Sequence, residues 1–271
     1  MSFNVKTLAA VGALIGTLAL AGCDQKEKDP NHIKVGVIVG SEQQVAEVAA
    51  KVAKDKYGLD VELVTFNDYV LPNEALSKGD IDLNAFQHKP YLDQQIKDRG
   101  YKLVSVGSTF VYPIAGYSKK IKTLDELQNG AQVAIPNDPT NLGRSLLLLQ
   151  KVGLIKLKDG VGLLPTSLDV VENPKNLKLV ELEAPQLPRS LDDQQIALAV
   201  INTTYASQIN LTPAKDGIFV EDKNSPYVNL LVAREDNKDA ENVKKFVQAY
   251  QSDEVNDAAN KVFNGGAVKG W

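Results

Sequence analysis

The residue types best suited to chemistry lie in Asn137-Asp138-Pro139-Thr140-Asn141-Leu142-Gly143-Arg144-Ser145. Asp138 or Thr140 can cap a helix and Pro139 suits a first helical position, so the stretch reads as a helix start. Such a start leaves unpaired N–H groups at the positive end of the macrodipole, which suits an anion. Arg144, in the first turn, adds a planar fork that matches a carboxylate or phosphate. Taken alone, Arg144 is equally well an exposed helix arginine.

Aromatic and amide side chains gather at the ends of other apolar runs. Phe66-Asn67-Asp68-Tyr69 follows one such run and Phe86-Gln87-His88-Lys89-Pro90-Tyr91 another. Asn202 closes Ile196 to Ile201, and Asn229 interrupts Tyr227-Val228-Asn229-Leu230-Leu231, where a buried amide costs free energy unless it has partners. Core packing accounts for each aromatic singly, and a satisfied structural amide for Asn229. The combined pattern, an apolar aromatic wall facing an arginine and amides, suits a small molecule with an apolar or thioether tail and a zwitterionic head. A polarizable sulfur would gain from ring contacts.

Enzymatic constellations are nearly absent. Two histidines, His32 and His88, and one cysteine, Cys23, do not assemble a zinc site. There is no G-x-S-x-G, no Walker A and no G-x-G-x-x-G after a strand, and only His88 could serve a Ser/His/Asp triad. The chain is therefore expected to bind rather than catalyse, with no cofactor or metal.

The elements that must position these residues follow an α/β pattern. Ile33 to Val39 is a β-branched run, Ser41 with Gln44 reads as a capping box, and Val45, Val48, Ala49, Val52 and Ala53 recur at helical spacing up to Gly58. With the strand Val61 to Phe66 this makes a βαβ unit, whose sheet should be parallel. A helix over 71–78, a strand over 81–86, a helix over 89–99 and an extended segment over 104–112 come next. A second series opens on Thr123-Leu124-Asp125-Glu126, read as another capping box. It continues through the strand Gln132 to Pro136, the helix that stops near Gly153, and strands over 177–182, 196–201 and 218–220. Residues 159–165 and 185–188 read as loops. After a strand over 227–233, only amphipathic helices over 239–251 and 253–263 are expected. Leu76, Ile81, Leu83, Ala85 and Gln87 match Leu191, Ile196, Leu198, Val200 and Asn202 at a constant offset of 115, which suggests two similar lobes. Ligands in open α/β sheets bind beyond the carboxyl ends of the strands. That puts Phe86, Gln87 and His88 on one wall of a crevice and Asn202 and Thr203 on the other.

The N-terminus reads as a targeting segment. Lys6 precedes an uncharged run from Leu8 to Ala21, too short to span a bilayer and typical of a signal peptide. Leu20-Ala21-Gly22-Cys23 resembles the lipobox of bacterial lipoproteins, which implies loss of residues 1–22 and a lipid on Cys23. Asp24 resembles the signal that keeps lipoproteins in the inner membrane. Residues 23–31 carry no large apolar side chain beyond Cys23 and fit a flexible tether. Loss of residues 1–22 removes Lys6 and no acid, taking the formal charge from −4 to −5. Mild acidity of mixed sign gives no footprint for nucleic acid.

Five blocks carry a family resemblance: Phe66 to Tyr69, Asn84 to Tyr91, Pro136 to Asn141 with Arg144, Ala199 to Thr203, and Tyr227 to Asn229. With them the chain resembles the NlpA lipoproteins, methionine receptors of ABC importers, from the signal segment to Trp271. The resemblance implies a periplasmic-binding-protein fold, two α/β lobes with a ligand cleft between them. It implies lobe one at 32–113 plus 228–271 and lobe two at 114–227. It also implies Tyr69, Phe86, His88 and Tyr91 around a thioether, Arg144 on the carboxylate, and Asn141, Asn202 and Asn229 on the amino and carboxyl groups. The implied partners are methionine, the importer's membrane subunits and, through the lipid anchor, the periplasmic face of the inner membrane. A receptor for another small amino acid or a dipeptide, an enzyme on the same scaffold, and a lipoprotein that only holds a partner stay open as alternatives.

Overall fold

A computed structural model describes residues 29–271; the expected signal segment 1–22, Cys23 and the tether as far as residue 28 lie outside the described residues. The chain begins with β1 (His32–Ile38), α1 (Ser41–Tyr57), β2 (Asp60–Phe66), α2 (Leu71–Lys78), β3 (Leu83–His88), α3 (Lys89–Arg99) and β4 (Leu103–Val111). It continues with β5 (Ala115–Tyr117), β6 (Gln132–Pro136), α4 (Pro139–Lys151), β7 (Lys156–Leu157), β8 (Val170–Glu172), β9 (Lys178–Leu182) and α5 (Leu187–Ser190). Next come β10 (Ile196–Ile201), α6 (Thr203–Gln208), α7 (Pro213–Asp216) and β11 (Phe219–Val220). The last stretch holds β12 (Val228–Arg234), α8 (Glu241–Tyr250), α9 (Asp253–Val262) and β13 (Val268–Lys269).

Two large sheets carry most of these strands, and β7 pairs with β8 apart from them. The first runs β13-β4-β12-β3-β1-β2 and the second β11-β5-β10-β6-β9. β1 pairs parallel with both β2 and β3, as a βαβ crossover requires. β1 and β3 are buried along almost their whole length because helices cover both faces, which is why they read as apolar runs. Val45, Ala46, Ala49, Val52 and Ala53 of α1 meet Val243, Phe246, Ala249 and Tyr250 of α8 in the core of the first sheet. The second sheet has its own core, Val133 and Ile135 of β6 with Leu142, Leu146 and Leu149 of α4 and Leu198 and Val200 of β10. The two sequence sets offset by 115 occupy matching places: β3 lies between parallel β1 and antiparallel β12, and β10 between parallel β6 and antiparallel β5.

Several local expectations change. Ser41 is the first residue of α1 and not its cap; Gly40, at φ 110°, precedes the helix with no side-chain hydrogen bond, a conformation only glycine adopts at low cost. Thr123 likewise makes no capping bond, and Glu126 accepts from the Lys122 N–H within a single 3-10 turn. Residues 185–188 are not a loop but lead a short turn into α5, with Pro188 near its start. The C-terminus ends on a strand as well as helices: β13 pairs with β4, Val268 opposite Val111. Two residues of strand carry too little periodicity to be seen in a sequence. Among the described residues no helix is long and apolar enough to cross a membrane.

Helix α4 is buried on nearly every side from Thr140 to Leu146, because the loop over 163–165 covers the face that the sheet does not. A Cβ on Gly143 would lie 2.4 Å from the Leu163 carbonyl oxygen, a backbone atom that cannot turn aside. In an open helix alanine is more favourable than glycine by about 1 kcal/mol. Here the overlap reverses that sign, and Gly143→Ala should lose about 1–3 kcal/mol by the scale of overpacked cores. Urea unfolding checks this; an unchanged or higher midpoint would show that the 163–165 loop yields.

Candidate functional site

A cleft opens between the two sheets, with about 340 Å³ of space inside it when open solvent is counted. Its lining includes Tyr69, Phe86, His88, Tyr91, Asn141, Arg144, Asn202 and Asn229, brought together from five segments of chain. Gln87 and Thr203 also reach it, as expected of the crevice walls, while Tyr112 and Thr204 were not anticipated. Most of these residues stand at the carboxyl end of β3 or β10, or in the helix or turn that follows β3, β6 or β10, where side chains leave the core and face the gap.

One polar chain runs through the site. Asp138 caps α4, its Oδ1 accepting from the Asn141 N–H at 2.9 Å. The two carboxylate oxygens also accept from Asn141 Nδ2, each at 3.0 Å. This fixes which way the Asn141 amide points, so Oδ1 is presented to the cleft as an acceptor. Asn202 Nδ2 donates to it at 2.9 Å, and His88 Nε2 lies 3.1 Å away. His88 Nδ1 accepts from the Tyr91 N–H at 3.1 Å, capping α3. With Nδ1 an acceptor and Nε2 facing an amide oxygen, the ring is neutral with its proton on Nε2. Burial, aided by the Arg144 charge, lowers the His88 pKa to about 3.

Three further observations define what the cleft offers. Tyr69, Phe86 and Tyr91 form an aromatic corner with ring centroids 5.9–6.1 Å apart. The Tyr91 hydroxyl donates to the Tyr69 carbonyl at 2.8 Å, fixing two sides of that corner. Asn229 Nδ2 donates to the Phe86 carbonyl at 3.1 Å, so the amide inside β12 has the partner its burial demands. Asn202 Oδ1 is shielded from solvent and has no hydrogen-bond partner among the described residues.

Arg144 is buried, and its fork is already engaged. Nε donates to Glu221 Oε1 at 2.9 Å, Nη2 donates to Glu221 Oε2 and to the Tyr112 carbonyl, and the guanidinium lies 4.4 Å over the Tyr227 ring. The pair is bidentate but turned inward, which leaves Nη1 as the edge available to a ligand. Glu221, directly after the short strand β11, was not singled out in the sequence. Its place at a strand end, the same place that marked the amides, was the available signal. Gln87 shows the converse: it reaches the cleft, but its amide is spent on Asn73 and Asn84, with Nε2 at 2.6 Å and 2.9 Å from their oxygens. Among the described residues no group of three or more His, Cys, Asp or Glu side chains could hold a metal ion.

Comparison with known proteins bears on this geometry. The model of the NlpA lipoprotein family matches residues 33–271. The chain is 90% identical, over 100% of both sequences, to the D-methionine-binding lipoprotein MetQ of Salmonella typhimurium. It is 92% identical to a crystal structure of the methionine-binding protein MetQ, with a TM-score of 0.89, covering 90% of this chain and 99% of that one. It is 53% identical to a nutrient-binding protein from Burkholderia cenocepacia bound to methionine, with a TM-score of 0.85, covering 88% of this chain and 100% of that one.

The lowered pKa has a testable sign. Between 6.5 and about 3 the unfolded chain takes a proton on His88 that the folded site refuses, so this contribution to stability is full above 6.5 and is lost as the pH falls. Heteronuclear NMR of the imidazole should find His88 neutral and protonated on Nε2 at about pH 5, where an ordinary histidine is charged. A titration midpoint near the ordinary value would break the chain from Asp138 to Tyr91.

Proposed function

We propose that this chain, which belongs to the NlpA lipoprotein family, captures methionine in the cleft and delivers it to an ABC importer. The observation that carries the reading is Asn202 Oδ1, a buried acceptor with no donor among the described residues. An unmade hydrogen bond of this kind costs about 1–3 kcal/mol, and an ammonium group in the cleft would recover it. Arg144 Nη1 supplies the complementary donor for a carboxylate. The corner of Tyr69, Phe86 and Tyr91, with His88 beside it, receives an apolar or thioether tail. Asn229 turns its amide oxygen toward the ligand while Nδ2 holds Phe86. Asn141 acts through its neighbours, since both ends of its amide are engaged with Asp138, His88 and Asn202.

Delivery follows from the same contacts. Residues 32–113 and 228–271 form lobe one, and residues 114–227 form lobe two. The chain crosses between them at Tyr112-Pro113-Ile114 and Ser225-Pro226-Tyr227. A ligand that touches both lobes favours the closed form by its differential affinity, and the importer reads that closure. Residues 1–22 are removed, and a lipid on Cys23 with the tether up to residue 31 keeps the receptor at the periplasmic face of the inner membrane. The cleft serves binding without turnover and needs no cofactor.

The test is calorimetric titration of protein lacking residues 1–22, with Cys23 replaced, refolded to strip bound ligand, against methionine, leucine and Gly-Met. One-to-one binding of methionine in preference to the others is expected; preference for leucine or the dipeptide would redirect the reading to another receptor of the same family. Arg144→Ala should weaken methionine by more than about a hundredfold and also lower stability, by the scale for breaking a buried pair, because Glu221 is left without a counter-ion. The double variant Arg144→Ala/Glu221→Gln should regain stability without regaining affinity. Affinity that is unchanged in both variants would remove Arg144 from the site.

A further inference from the structure

Glu42, the second residue of α1, is 2% exposed and buried against the opposite lobe. Its Oε1 accepts from the hydroxyl of Thr204, in α6, and Thr204 itself lines the cleft. Among the described residues no cation pairs with this carboxyl. The titratable groups that face it are phenols: Tyr69 after β2, Tyr112 after β4, Tyr205 in α6 and Tyr250 in α8. The charged groups on the far wall are engaged elsewhere, Asp138 with Asn141 and Arg144 with Glu221. A carboxylate without a counter-ion in such a place is costly, and the usual relief is to take a proton.

We propose that Glu42 is a positioning residue for ligand capture: as a neutral acid it holds Thr204 across the two lobes, so that closing over a ligand takes up one proton. The inference rests on the receptor reading above. Parting the lobes separates α1 from α6 and exposes Glu42 to water, where it ionises like an ordinary glutamate. Burial raises its pKa from 4.5 to about 8 in the closed form. Below about 4.5 the carboxyl is neutral in both forms and adds no pH dependence to closure. Between about 4.5 and 8 the open form is ionised and the closed form is not, so closure consumes a proton at Glu42, which by itself weakens it tenfold for each pH unit. Above about 8 it is ionised in both forms and the dependence ends. The phenols stay neutral throughout this range, their pKa values pushed up by burial. His88, buried against Asn141 of the other lobe, gives up a proton on closing below about 6.5, so the Glu42 uptake stands alone between about 6.5 and 8.

Titration of L-methionine in buffers of different ionisation enthalpy reads the proton directly. Near pH 7 the protein should take up most of one proton per methionine bound, and Kd should rise several-fold per pH unit between roughly pH 6.5 and 7.5. Glu42→Gln should abolish the uptake and flatten the profile. Methionine binding without proton uptake would overturn the coupling and leave the receptor reading intact; it would mean that Glu42 stays ionised against a cation of the ligand. Uptake that persists in Glu42→Gln would assign the proton to another group and overturn it equally. Absence of methionine binding would overturn both. If Glu42→Gln does not fold, difference infrared spectroscopy of the unaltered protein decides: methionine must add the C=O stretch of a protonated carboxyl, and its absence would overturn the proposal.

Discussion

The site depends on the orientation of one amide. Asn141 is fixed by Asp138, which accepts from both its backbone and its side chain while capping α4. That cap costs the fold nothing extra, because the N–H groups of a helix start need acceptors in any case. With Nδ2 consumed, Oδ1 can only accept, and so it sets the proton of His88 and turns the amide of Asn202. The orphaned oxygen of Asn202 is the far end of this chain. A carboxylate that does not line the cleft thus sets which polar atoms the cleft presents.

The second constraint is charge neutrality in a dry cleft. Arg144 alone would make the cleft strongly positive, but Glu221 faces it at hydrogen-bond distance and cancels that charge. His88 is kept neutral by the same burial. What remains are dipoles and a single free guanidinium edge, an arrangement suited to a molecule whose own charges sum to zero. A buried ion pair of this kind is weak evidence for stability but sets geometry well. Here it ties Arg144 to Tyr112 and, through the Tyr227 ring, to the second place where the chain passes between sheets.

Each sheet has its own core, and a third apolar cluster on the second sheet, from Ala115, Ala134 and Ile201 to Leu187 and Tyr205, reaches across to Ile38, Phe86 and Tyr91 of the first. Besides the Tyr69 and Tyr205 rings, 5.0 Å apart, polar contacts bridge the gap: His88 with Asn141, Tyr205 with the Asn67 carbonyl, Gln208 with the Val39 carbonyl, and Thr204 with Glu42. Separate cores keep the walls rigid while the bridging contacts stay exchangeable, which is what capture and release require.

Much of this is local and was legible in residues alone. β-branched runs, helical spacing and closing glycines set β1, α1 and the end of α4 nearly to the residue, because strand and helix periodicity is a property of neighbours in sequence, whereas β3, with no β-branched residue, runs from Leu83 to His88 and not over 81–86. Strand ends rich in aromatics and amides marked the cleft for the same reason, since a polar residue at the end of a buried strand must leave the core. Capping at Ser41 and Thr123 misled, because the same side chains can stand one residue inside a helix or beside a 3-10 turn. Glu221 against Arg144 and Glu42 against Thr204 are separated by 77 and 162 residues. No periodicity spans such distances. Only the packing of one sheet's helices against the other's decides which carboxyl finds a cation, which finds only a hydroxyl, and which amide oxygen is left for a ligand.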